Sequence, residues 1–169
     1  RGPFYGYEEV IETFEMTNRP RRLKPVDIYY HTYSASKPAG LKALHKAFAW
    51  AETQPLHPVF ASEYIHKVQD FYTLAIARDG NGWRIRGDGN LRTLRLPAAM
   101  RPDLDSAQAV AGFSRGSEGD YLHLADQAAW FATGPSPAAN RRPYLVDANG
   151  RLSYWQRQEK DFKFLLNFR

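Results

Sequence analysis

From Tyr72 onward the chain is cut into short apolar and aromatic runs by turn residues, and this punctuation limits the fold more than any other feature. Thr73–Arg78, Asp79-Gly80-Asn81-Gly82 and Trp83–Arg86 spell a hairpin, two runs joined by residues that accept turn conformations. A strand ending at Leu96 before Pro97 comes next. Ala107–Phe113, Tyr121–Leu124, Ala129–Ala132, Tyr144–Val146, Leu152–Gln156 and Phe162–Phe168 follow. Gly116–Gly119, Gly134–Pro137 and Asn149-Gly150 separate them. Many short strands at regular spacing predict an antiparallel β-sandwich over 72–169, long enough to bury its own core.

Residues 1–71 have a different rhythm. Tyr7–Met16 places Val10, Ile11 and Phe14 at helical spacing, with Glu8 and Glu9 in the first turn, and Pro20 closes the segment. Val26–His31 is β-branched and aromatic and reads as one buried strand, followed by the loop Tyr33–Ser36. Pro38 suits a first helical turn, and Leu41, Leu44, Phe48 and Ala51 continue that helix to about Thr53. An extended piece at Val59-Phe60 leads to Ser62 as N-cap and to a third helix carrying Tyr64, Ile65, Val68 and Phe71. Strand, helix, short strand, helix is the rhythm of a parallel α/β sheet. One strong strand cannot make such a sheet, so the expectation is the tail of a larger α/β domain in a chain that begins without methionine.

Composition removes several functions. The 169 residues contain no cysteine, which excludes disulfides and thiolate zinc sites. No apolar run reaches the roughly 18–20 residues that span a bilayer. The net charge of +5 comes from small groups such as Arg19, Arg21, Arg22, Lys24 and Arg141-Arg142. Arg84, Arg86, Arg92 and Arg95 alternate with apolar residues, as the wet face of strands does. A solvated basic surface, and no nucleic-acid partner, is the expectation. Phosphate-binding glycine loops and the GxSxG elbow are missing from the sequence.

Five histidines are present, and none stands at HxxxH or HExxH spacing, so this chain alone is expected to hold no metal. His31 stands out because it ends the strand of the α/β segment, and the carboxyl ends of such strands line active sites. Imidazole also exchanges protons near neutral pH. Asp27, Tyr29 and Tyr30 are placed to orient it or to line a pocket; the competing reading is a buried histidine bonded to a backbone carbonyl. His45 and His66 read as surface residues of helices, His57 as a loop residue, and His123 as the solvent face of a strand. Aromatic residues make up 14% of the chain, and flat rings stack on sugars as well as filling cores. Trp83, Trp130, Tyr144, Tyr154 and Trp155 are the sandwich candidates. Tyr154 and Trp155 are adjacent, so a strand turns one in and one out, and the outward one is the better binder.

The run YEEVIETFEMTNRPRRLKPVDIYYHTYSASKPAGLKAL (Tyr7–Leu44) resembles the late part of the deacetylase domain of PelA-type polysaccharide deacetylases. The likeness continues through PVFASEY, GWRIRGDGNLRTLRLP and RPYLVDANGRLSYWQR. The resemblance implies an α+β chain: the C-terminal remnant of an α/β, (β/α)-barrel-like deacetylase domain related to NodB-like enzymes (1–71), then a β-sandwich (72–169). It implies a periplasmic setting, a Pel-like N-acetylhexosamine exopolysaccharide of the biofilm matrix as substrate, and a Pel secretion-complex protein as a further partner. In that family a divalent metal, by preference zinc, is held by an aspartate and two histidines that have no counterpart here. A late histidine, two residues after a leucine at a strand end, protonates the leaving amine. His31 matches that histidine, and Tyr29 stands in the leucine's place, which alters the pocket for the acetyl methyl group. Tyr29, Tyr30 and Trp155 are then the expected substrate contacts. The contrasting expectation is a non-catalytic carbohydrate-binding or scaffolding sandwich, with His31 structural.

Overall fold

A computed structural model describes residues 9–19, 24–98, 100–117, 119–134, 142–148 and 150–167. The expected helix start at Tyr7-Glu8, the stop at Pro20, Arg21, Arg22 and Arg141, the turn residues after Gly134, Asn149, and Phe168 lie outside them. The chain is mixed α+β; among the described residues there are three α-helices and several antiparallel sheets, and no barrel. It divides into two compact units, Arg1–His57 and Pro58–Arg169, so the third helix belongs with the strands that follow it.

In the first unit, α1 (Val10–Thr17) and α2 (Pro38–Glu52) are helical as their periodicity predicts. Pro38 sits in the first turn of α2, where its missing N–H costs nothing. The Phe14 ring stacks on Trp50 with centroids 5.4 Å apart, and the Trp50 indole donates to Glu15 Oε1 at 3.2 Å. The expected strand Val26–His31 has no regular secondary structure and joins no sheet. β-Branched and aromatic residues favour an extended backbone, yet a strand exists only where another backbone fills its ladder, and no described segment of this unit does so. The parallel α/β sheet is therefore not formed by these residues. Val59-Phe60 likewise forms no strand. Among the described residues of this unit only Ala47 is buried, and Leu41 and Phe48 of the expected apolar stripe are left exposed.

The second unit opens with α3 (Ala61–Thr73). Phe60, not Ser62, occupies its N-cap position, and the Glu63 carboxylate accepts the Phe60 N–H at 3.0 Å. Among the described residues nine strands follow: β1 Ala75–Asp79, β2 Gly82–Arg86, β3 Thr93–Leu96, β4 Arg101–Gln108, β5 Val110–Gly116, β6 Gly119–Leu124, β7 Ala128–Gly134, β8 Arg151–Arg157 and β9 Phe162–Asn167. They pair antiparallel in the orders β1-β2-β7-β4, β3-β6-β5 and β8-β9. Ile85, Leu104, Ala129 and Phe131 of the four-stranded sheet share one core cluster with Leu96, Val110, Phe113, Leu122 and Leu124 of the three-stranded sheet. Alternation makes this possible: Ile85 is buried while Arg84 and Arg86 flank it on the wet face.

The expected single strand Ala107–Phe113 is two. Ala109 has φ 53, a left-handed conformation that breaks the ladder and sends β4 into one sheet and β5 into the other. β4 also begins at Arg101, well before the expected start at Ala107, and it accommodates Pro102 because it is the edge strand of its sheet. Tyr144–Val146 contributes only one bridge, Leu145 to Gly112, and Leu145 N–H donates to Ala111 O at 2.9 Å. The Leu145 backbone lies so close to Gly112 that any Cβ there collides with it. Gly112→Ala should displace 144–146, part the Tyr144 ring from Phe113 (5.3 Å between centroids), and lower stability by about 2 kcal/mol in denaturant unfolding.

Candidate functional site

His31 is itself extended, with φ −95 and ψ 146, immediately before a 3-10 turn over Thr32–Ser36. The turn is closed by Ser34 N–H donating to His31 O at 2.9 Å and by the Ser36 hydroxyl donating to Tyr33 O at 2.6 Å. Gly40 of α2 lies directly against the Ser34 carbonyl, where any Cβ would clash, so the first turn of α2 backs the loop closely. Tyr30 packs edge-on against Phe48 of α2 at 6.4 Å and fixes the segment from the other side.

These constraints leave the imidazole exposed among tyrosines. Its ring stacks on Tyr33 with centroids 4.8 Å apart and planes 10° from parallel. Tyr29 meets it edge-on at 5.1 Å, with its hydroxyl 3.4 Å from His31 Nε2. Tyr29 is 77% exposed and Tyr33 69%. The alternative of a buried histidine held by a backbone carbonyl is not what the geometry gives. Tyr29 and Tyr30 are thus near His31 as expected, although Tyr30 is turned toward α2. Tyr33 is a third aromatic partner, which the sequence places in a loop without indicating that its ring returns to residue 31. Asp27 is exposed and makes no described contact with the imidazole.

Trp155 lies in the other unit. Tyr154 is the outward residue of the adjacent pair, 49% exposed, and its hydroxyl donates to Gln156 Oε1 at 2.6 Å. Trp155 turns inward, half-buried, against Phe162 at 4.5 Å. Its indole nevertheless borders a cleft of about 320 Å³ together with Ala107, Ala109, Ala125, Asp126 and Arg157.

His45, His57 and His66 are exposed, as expected, but His123 is not on an open face. Its Nε2 lies 3.0 Å from Val146 O and 3.3 Å from Ser114 Oγ, and its Nδ1 lies 3.3 Å from Thr93 Oγ1. A carbonyl only accepts, so Nε2 carries the proton and Nδ1 accepts from the Thr93 hydroxyl. The 142–148 segment makes the difference, since its chain position in the sequence says nothing of which strand it covers. Burial lowers the His123 pKa below its ordinary 6.5, against the raising effects of the Val146 carbonyl and the Asp147 charge. A lowered folded-state value means the unfolded chain takes up the proton first. This contribution to stability is therefore present above pH 6.5 and lost as pH falls toward the folded value. His123→Gln should flatten that part of the Tm-versus-pH curve.

Among the described residues no three His, Asp or Glu side chains form a group able to hold a metal ion. No described helix is long and apolar enough to cross a membrane. Compared with protein-family models, with curated proteins and with solved structures, the chain finds no match in any of the three.

Proposed function

We propose that this chain is the C-terminal part of a periplasmic N-deacetylase that acts on an N-acetylhexosamine exopolysaccharide of the Pel type, with His31 as its general acid. The observation that carries the proposal is the His31 ring itself: exposed, set between Tyr29 and Tyr33, and free of any buried carbonyl. A general acid must reach the departing atom, and an imidazole in this setting can. In that role water adds to the acetamide carbonyl, and the protonated ring gives its proton to the departing nitrogen as the C–N bond of that adduct breaks, releasing acetate and the sugar amine. The exposed tyrosine faces support the sugar ring beside it.

The described residues do not fit the ligand set of the divalent ion that the family resemblance implies, zinc by preference. In this proposal that ion is held by residues outside this chain, and the chain alone releases no acetate. The exposed apolar face of the first unit, with Ala47 its only buried described residue, is consistent with a partial domain. The test is acetate release from N-acetylhexosamine oligomers by the full-length protein and by its His31→Ala variant. One observation favours a second reading, a glycan-binding module: the Trp155 indole borders a cleft.

A further inference from the structure

Helix α3 is amphipathic, but it turns its charged side to the strands. Glu63, Lys67 and Asp70 recur at intervals of four and three residues and so share one side of the helix. Asp70 is fully buried there and accepts from the N–H groups of Asp88, Asn90 and Leu91. Lys67 donates to Asn90 O at 3.1 Å, and the Glu63 carboxylate lies 3.8 Å from Arg151 of β8. Leu74, at the C-cap, carries the same side into the core. The opposite side, half a turn around the helix, holds Ile65, Val68 and Tyr72. Ile65 is 53% exposed and Tyr72 82%, with Phe71 on their flank at 56%. A helix that serves one sheet does the reverse and buries its apolar stripe. Here the stripe cannot roll inward without leaving the Asp70 carboxylate and three backbone donors unpaired.

Charge and size decide what covers it. Ile65, Val68 and Tyr72 are uncharged, so a strongly acidic or basic surface gains nothing from them. The 13 residues of α3 make a stripe about 20 Å long and about 10 Å wide. That falls well short of the roughly 800 Å² per partner that holds separate molecules together. A patch this small retains a surface tethered to it in the same chain, where the effective concentration is of millimolar order. The strands of an α/β domain present Val-, Ile- and Leu-rich faces that helices cover with such stripes. We infer that the outward stripe of α3 docks on the sheet of the α/β deacetylase domain, formed by residues N-terminal to this chain, so that α3 clamps the β-strands to that domain. This inference rests on the reading above, which places that domain in the same polypeptide.

The experiment is hydroxyl-radical footprinting of Tyr72 and Ile65 in this chain and in the full-length protein. Labelling of Tyr72 should be about fivefold or more slower in the full-length protein, since a side chain 82% exposed becomes a packed contact. Equal labelling in the two proteins overturns the inference. Ile65→Asp supplies a second arm. In this chain it should leave the unfolding midpoint unchanged, whereas in the full-length protein it should lower the midpoint by about 4 °C or more and restore Tyr72 labelling. An unshifted midpoint in the full-length variant contradicts the docking. If full-length Ile65→Asp does not fold, Tyr72→Ser and the footprint of the parent decide. A dimer of this chain in sedimentation, split by Ile65→Asp, would give the stripe to a second copy and overturn the inference as well. Footprinting reads contact and not chemistry, so the two ideas fail separately. An active enzyme with Tyr72 freely labelled sinks the docking alone, and a protected Tyr72 in a protein that releases no acetate sinks the deacetylase reading alone.

Discussion

Asp70→Ala is expected to cost about 4 kcal/mol of folding stability, a large share of the roughly 5–15 kcal/mol available to a domain. Asp70 faces inward from the last turns of α3 and is fully buried. Its Oδ1 accepts from Asp88 N–H at 2.7 Å, and its Oδ2 accepts from Asn90 and Leu91 N–H at 2.8 Å each. One carboxylate thus organises the loop that leads from β2 to β3, and Lys67 adds a bond to Asn90 O at 3.1 Å. Alanine would strand three backbone donors next to a hole. Asp70→Asn should cost less, because one oxygen remains to accept.

The same group gives an acid limb. Burial alone raises the Asp70 pKa, but the N–H groups of Leu91, Asp88, Asn90 and Gly89 outweigh it and hold the carboxyl below the ordinary 3.8. A depressed value in the folded state means that this stabilisation is present above 3.8 and is lost as pH falls through the folded value. Denaturant unfolding of the parent and of Asp70→Asn across acid pH checks both effects. Equal stability of parent and Asp70→Ala would show that the carboxylate does not organise the loop.

The strands of the second unit were largely legible because alternation and glycine-rich turns are local signals. The hairpin β1–β2, the register of Ile85 against its flanking arginines, and β6 follow from them. What failed was whatever depends on a distant partner. Val26–His31 carries the composition of a strand, but no described backbone pairs with it. Ala109 carries nothing in its side chain to announce a left-handed turn, so two strands looked like one. Nothing local distinguishes Asp70 from the other polar residues of α3, because its partners lie 18–21 positions further along the chain. At the candidate sites, closeness in sequence already puts Tyr29 and Tyr30 beside His31, although the strand that singled out His31 is not formed, whereas the return of Tyr33 and the cleft at Trp155 required the folded chain. His123 is the opposite case: its apolar neighbours suggested an open strand face, and a remote segment covers it.

The second large effect concerns His31. As general acid its loss should slow deacetylation by the full-length enzyme by about 10²–10⁴-fold, the usual worth of a positioned proton donor. The residue lies outside the described packing of either helix and is solvent-exposed, so His31→Ala should leave Tm unchanged. Bound metal in the full-length protein should also be unchanged, since the ligand set of this proposal excludes residue 31. The decisive measurement is the pH profile of acetate release by full-length parent and His31→Ala, with metal content determined on the same samples. A collapse in rate together with loss of the profile's alkaline limb, at parental metal content, is the expected result. Near-parental turnover with an unchanged profile would contradict it and leave residue 31 a surface histidine among tyrosines.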